Sequence, residues 1–323
     1  MHRAMFQVLS ACVFATTIHD VGAQSYPNKP VKMIVTFAAG GGADFMGRLI
    51  GQKLTETMGQ PVIVDNRAGA GGAIGNEAVA KAPPDGYTLL LGAAGPLVIS
   101  PALYAKMSYD VVKDLAPVTL LAHVPFALCA HPSVPAATVK ELIALAKRTP
   151  GKLNFGSSGT AGAPHLAGEL FKASAGVDLL HVPYKGLAPA ITDLIGGQLD
   201  LIFADVNLVK PHVEGKRIRG LAVTGATRSA ILPQLPTVSE AALPGYQAGT
   251  WYGVLAPAGV SREIIAKLHA EIIRILGSAE IKERLATQGA EPAGNTPEQF
   301  AAMIRAELDK WAKVVKAANI KLD

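Results

Sequence analysis

Apolar residues along this chain alternate between two rhythms. Val31 to Phe37 is an apolar, largely β-branched run of strand length. Gly40 to Gly42 follow, where the backbone can turn and a ligand can come close. Met46, Ile50, Leu54 and Met58, with Phe45 and Leu49 beside them, then make one helical stripe, and Asp44 sits where an N-cap or first-turn acid belongs. The rhythm repeats. Pro61 to Asp65 reads as a second strand, Asn66 to Gly75 as a second glycine loop, and Asn76 to Lys81 as helix. Pro83-Pro84-Asp85-Gly86 is a turn, and Tyr87 to Leu91 is a third strand ending in Gly92-Ala93-Ala94-Gly95. This βαβαβ order predicts a parallel sheet with helices on both faces.

A second set begins at Phe126 to Ala130. Thr138 and Glu141 form a capping box for a helix to about Arg148. Leu153 to Phe155 runs into the small-residue loop Gly156 to Gly162, and a helix follows with Leu166, Leu170 and Phe171 on one face. Strands at Leu179 to Val182, Leu199 to Ala204 and Ile218 to Val223 alternate with helices at Ala188 to Ile195 and Val206 to Val213. The remainder predicts a capping box at Thr237, a strand over Trp251 to Ala256, and helices capped by Ser261 and Thr296, with a shorter one from Ala279 between them. The last carries Phe300, Ile304, Leu308, Trp311 and Val315 and is expected to pack on the first set. Partner docking is its other reading.

Length and charge narrow the class. The chain has 323 residues, half of them apolar and 17% charged, which suits two lobes with real cores. A net charge of +5 with scattered Lys and Arg argues against nucleic acid. Residues 1–23 read as a secretory signal peptide: Arg3, an apolar run Ala4 to Ile18, and Val21-Gly22-Ala23 before a cut at Gln24. A lipoprotein signal at Leu9-Ser10-Ala11-Cys12 is the competing reading, with a short apolar stretch against it. Cleavage removes Cys12, so Cys129 is left alone and is expected to be a small buried hydrophobe. Gly86 to Ala105 and Leu115 to Val139 lack charge, but prolines and glycines interrupt both, and they read as strands and turns rather than membrane spans.

Catalytic motifs are missing. There is no GxxxxGK[ST], no HExxH and no metal-ligand spacing of His, and Gly156-Ser157-Ser158-Gly159-Thr160 is not GxSxG. Gly40-x-Gly42 lacks the third glycine of a dinucleotide fingerprint. What remains is a set of loops at strand ends: Phe37 to Asp44, Gly92 to Pro96, Gly156 to His165 and Phe203 to Asn207. They contain no Arg or Lys. Helix N-termini offer unpaired N–H groups and about half a positive charge, so such loops suit an anion while supplying little to catalyse with. No cofactor and no metal are expected.

In order along the chain stand Phe37 to Asp44 with Arg48, Asp65-Asn66-Arg67-x-Gly69-Ala70-Gly71-Gly72, Pro84-Asp85-Gly86-Tyr87-Thr88-Leu89, Asn154-Phe155-Gly156-Ser157-Ser158-Gly159, Val182-Pro183-Tyr184-Lys185-Gly186 and Gly196-Gly197-Gln198-Leu199-Asp200. With these markers the chain resembles, from about Tyr26 to Lys316, the extracytoplasmic solute receptors of tripartite tricarboxylate transporters, the Bug family. Ala38-Ala39 stand where that family often has a proline. The resemblance implies an α/β, two-lobed Venus-flytrap fold, each lobe a mostly parallel sheet flanked by helices. It places residues 24–124 plus 246–323 in the first lobe and 125–245 in the second. It implies a periplasmic, monomeric receptor that captures a small organic carboxylate and delivers it to a membrane permease. The expected contacts are Phe37, Ala39, Gly40 and Asp44 with Ala94 nearby, and Ser157, Ser158, Gly159, Thr160, His165 and Asp205 across the cleft. Asp44 and Asp205 each have two readings, helix cap or acceptor for a ligand amine or hydroxyl. Arg67, Tyr184 and Lys185 read as structural or surface-placed. The rival classes are a secreted enzyme and a sensor that engages a histidine-kinase ectodomain.

Overall fold

The computed structural model describes residues 26–320 apart from 105, 161, 185 and 319. The signal-peptide and lipobox readings with Cys12, and Lys185, lie outside the described residues. The first half runs β1 (Val31–Val35), α1 (Gly42–Met58), β2 (Val62–Asn66), α2 (Ala73–Ala80), β3 (Thr88–Ala93) and α3 (Ser100–Leu103). The second runs β4 (Leu115–Ala130), α4 (Val139–Arg148), β5 (Asn154–Ser157), α5 (Ala163–Ala175), β6 (Leu180–Pro183), α6 (Leu187–Ile195), β7 (Leu201–Asp205), α7 (Val206–Glu214), β8 (Arg219–Val223) and α8 (Val238–Ala241). Then come β9 (Gly249–Pro257), α9 (Arg262–Gly277), α10 (Ala279–Thr287), β10 (Glu291–Pro292) and α11 (Pro297–Ala317).

Two parallel blocks, β2-β1-β3 and β6-β5-β7, are joined through antiparallel β9 and β4. The rhythm read from the sequence is therefore right for the two blocks, and the antiparallel pair between them is what it did not foresee. β4 is one strand of 16 residues, although Pro117 and Pro125 fall inside it. Its ladder to β9 shifts register just after Pro117, where the missing N–H is absorbed by an irregularity. At Pro125 the strand changes partners. Pro125 still faces Gly249 of β9, whereas Phe126 faces Asp205 of β7. Beyond that point β4 pairs with β7 on one edge and β8 on the other. The structure is thus the two-lobed α/β fold, with β4 and β9 carrying the chain across.

Alternation along the strands divides the core. Met33 and Val35 pack with Met46, Ile50, Leu54, Leu268 and Ile272 on one face of the first sheet. Ile34 and Leu90 point to the other face, with Trp251, Phe300 and Trp311. In the second sheet Phe126 and Leu128 join Phe155, Phe171 and Phe203, while Ala127 and Cys129 join Ile191, Ile202 and Val209. Cys129 is fully buried, and burial pushes its thiol up to about 12, so it stays a neutral packing group. The caps at Thr237 and Thr296 are reciprocal boxes, each with the N3 side chain reaching back to the N-cap N–H. α11 packs on α3 of the first half as expected, and it also touches β4 and α5 of the second lobe. Among the described residues no helix is long and apolar enough to cross a membrane.

Candidate functional site

Between the lobes lies a cleft of about 660 Å³. Phe37 and Gly41 from the first lobe and Ser158, Thr160 and Asp205 from the second all line it. Four helices begin at its wall. Their N-caps are Gly41 for α1, Gly162 for α5, Gly186 for α6 and Asp205 for α7, and all four residues line the cleft. A βα turn at the C-terminal ends of β1, β5, β6 and β7 aims the helix start inward, the usual place for a ligand in an open α/β sheet. No Lys or Arg is among the described lining residues. The local positive potential comes from backbone N–H groups, whose dipoles place roughly half a charge at each helix start. Apolar surface faces the same space: Phe37 is 38% exposed, Tyr104 40% and Leu208 42%, and all three line the cleft.

The first-lobe loop is braced from behind. The Asp44 carboxylate accepts the Gly40 N–H at 2.9 Å and the Arg48 Nε–H at 3.0 Å. Arg48 also reaches Asn66 Oδ1 at 3.2 Å, and Asn66 Nδ2 donates to the Phe37 carbonyl at 3.0 Å. The Arg48 hydrogen bond, ahead of the others, holds the Asp44 carboxyl below the usual carboxylate range. Gly40 takes φ +89°, which a side chain would resist, and a Cβ on Gly42 would meet the Tyr252 hydroxyl at 2.9 Å. Asp44 sits in the first turn of α1, whose N-cap is Gly41, and braces the loop without lining the cleft.

The second-lobe loop has its own support. Ser157 Oγ donates to the Gly159 carbonyl at 3.0 Å, accepts the Gly159 N–H, and pairs with His181 Nε2 at 2.7 Å. His181 stacks on His165 with ring centroids 3.7 Å apart, and His165 Nε2 lies 3.7 Å from Glu169 Oε1. Glu169 also takes Lys172 Nζ at 3.0 Å. Burial, reinforced by His165, lowers His181 to about 4. The Tyr184 and Gly186 N–H groups donate to the Ser157 and Ser158 carbonyls, so these two residues clamp the loop. Tyr184 itself is held by Asp193 at 2.7 Å, and Arg67 pairs with Asp65 at 3.0 Å.

Four of the expected contacts, Phe37, Ser158, Thr160 and Asp205, meet in the cleft. Ala39 and Gly159 do not line it, Gly40 faces an adjoining chamber, and Ala94 is fully buried beneath the wall. Ser157 and His165 point inward because the strand and the first turn of α5 direct them into the packed network under the loop. Sequence reasoning placed Pro96 in a strand-end loop but missed Gly71, Tyr104, Leu187 and Tyr252. A signal existed for Tyr252: alternation along β9 sends Trp251 to the core and its neighbour the opposite way. Gly186, quoted as a motif glycine, was readable as one more helix start. Asp205 has no hydrogen-bonding partner for its side chain at the start of α7, and burial pushes its carboxyl up to about 6.

The model of the tripartite tricarboxylate transporter family receptor matches residues 46–320. The chain is 38% identical over 303 residues to Protein BugT of Bordetella pertussis, covering 94% of this chain and 93% of that protein. It superposes on R. palustris Rpa4515 with adipate at a TM-score of 0.79 and 39% identity, over 92% of this chain and 99% of that one. MatC from Rhodopseudomonas palustris with bound malate matches at a TM-score of 0.74 and 32% identity, over 90% of this chain and 100% of that one.

Proposed function

Because this chain belongs to the tripartite tricarboxylate transporter receptor family, we propose that it captures a small organic carboxylate between its lobes and presents it to the membrane permease. The family is one of periplasmic solute receptors rather than enzymes, and the solved relatives carry adipate and malate. We place this protein in the periplasm on the same ground. The observation that carries the reading is the convergence of four helix N-caps on a cleft with no Lys or Arg among its described lining residues. A carboxylate there is held by backbone N–H groups from both lobes, with Ser158 and Thr160 hydroxyls to complete its coordination. Phe37, Tyr104 and Leu208 cover the carbon chain. The lobes divide in our reading at residues 124/125 and 245/246, which the change of β4 partners at Pro125 supports.

A thermal-shift screen of mono- and dicarboxylates from two to eight carbons tests this, with calorimetry on the hits. A ligand at a hundred times its Kd stabilises the folded form by about 2.7 kcal/mol, a clear rise in Tm. Double substitution of Ser158 and Thr160 by alanine is expected to weaken a hit by about ten-fold or more. If no carboxylate raises Tm while a neutral solute does, the ligand class is wrong.

A further inference from the structure

Behind Tyr252 the cleft adjoins a chamber of about 420 Å³. Gly41, Asp205, Leu208 and Tyr252 face both spaces. Two acceptors in this wall receive no hydrogen bond from any described residue. Asp205 opens α7, yet its carboxylate makes no capping bond, and no ion pair or hydrogen bond reaches it from any described residue. Asn207 donates through Nδ2 to Gln288 Oε1 at 3.2 Å, while its Oδ1 is buried without a partner. Neither space has a Lys, Arg or His among its described lining residues. A half-buried carboxylate gives up part of its hydration, and without a donor it gains nothing in return. Nothing in the folding of α7 requires an acid here, since the cap hydrogen bond that would justify Asp at this position is not made.

A plain carboxylate ligand makes the arrangement worse, because it adds a second negative charge to the same cleft. A ligand with a donor relieves it. Building on the carboxylate reading above, we propose that the ligand carries an ammonium or hydroxyl group that donates to Asp205 and Asn207 while its carboxylate rests on the helix N-caps. Asp205 then selects among acids of one length. The helix starts recognise the anionic end, and Asp205 rejects acids that bring no donor to it.

The test is calorimetry with matched trios: succinate, malate and aspartate, and the plain, hydroxy and amino diacids of five and six carbons. At the length that fits best, the hydroxy or amino acid is expected to bind about ten-fold tighter than the plain one or better. Whichever of the two leads identifies the donor. D205N is expected to erase that preference, bringing the plain, hydroxy and amino acids of one length to equal affinity. N207L, which leaves the charge in place, is expected to reduce the preference by a smaller factor. Circular dichroism and Tm of both variants check that they fold. Equal affinities across a trio, or a preference that survives D205N, overturn the inference and leave the carboxylate reading standing. If none of the acids binds, that reading falls, and this inference with it.

Discussion

Asp205 and His181 pull the acid response of this protein in opposite directions. The Asp205 carboxyl is held near 6 by burial, against roughly 3.9 in an unfolded chain. The folded state therefore binds the extra proton between those values, and stability falls as pH rises through that window. His181 is held near 4, against roughly 6.5 unfolded, so the folded state refuses a proton and stability is lost as pH falls from 6.5 to 4. In the native protein the two slopes partly cancel. D205N removes the first. It is expected to stabilise the unliganded protein at pH 7 by about 1 kcal/mol, after discounting for the water that reaches a partly exposed carboxyl, and to steepen the loss below pH 6. His181→Gln is expected to flatten the loss between pH 6.5 and 4. Urea midpoints at pH 4.5 and 7 measure both, and unchanged slopes in either variant refute the assignment. Phe37 tests the other contribution at this scale. It is too exposed to hold the fold, so F37A is expected to leave Tm within about 1 °C and to raise Kd about ten-fold by removing apolar contact with the ligand.

At the scale of elements, the site consists of loops held in place by residues behind them. Asp44, Arg48 and Asn66 tie the turn before α1, and Ser157 and His181 tie the turn before α5. Cutting the first brace with D44A frees the Gly40 N–H and the Arg48 guanidinium that steadies Asn66 behind the Phe37 carbonyl. The expected cost is about 1–2 kcal/mol of stability and a Kd several-fold higher, although the residue does not line the cleft. Equal affinity with lowered stability would confine Asp44 to holding the fold. The same elements explain what could be read from the chain. Strands and stripes such as Val31–Val35 and α1 were legible because strand and helix periods differ and both are buried on a known face. Glycine loops before stripes marked α1 and α5 as helix starts. The long β4 was not legible, since Pro117 and Pro125 argue for interruption and only the ladder around them shows that the strand continues. Ser157 and Ser158 look alike in sequence. One is buried under the loop and the other lines the cleft, and that difference depends on the clamp from Tyr184 and Gly186.

Across the whole molecule, α5 connects the cleft to the far side of the interface between lobes. Its first residue, Ala163, lines the cleft, and Leu170 two turns later packs against both the second-lobe core and the Trp251–Phe300–Trp311 cluster of the first lobe. α11 touches α5 along this seam. These contacts are made in the arrangement seen here, and their apolar burial favours it before any ligand arrives. A receptor whose binding-competent form is a fraction of the population binds with Kd divided by that fraction. Leu170→Lys places a charge in the seam without touching the cleft. It is expected to lower the closed fraction, raise the apparent Kd by about three- to ten-fold, and increase the radius of gyration of the unliganded protein in small-angle scattering. Saturating ligand is expected to restore the native radius, because the intrinsic contacts at the helix N-caps are intact and binding pulls the equilibrium back. A raised Kd with an unchanged radius would mean that α5 transmits only local strain to Ala163, and that closure does not depend on the seam.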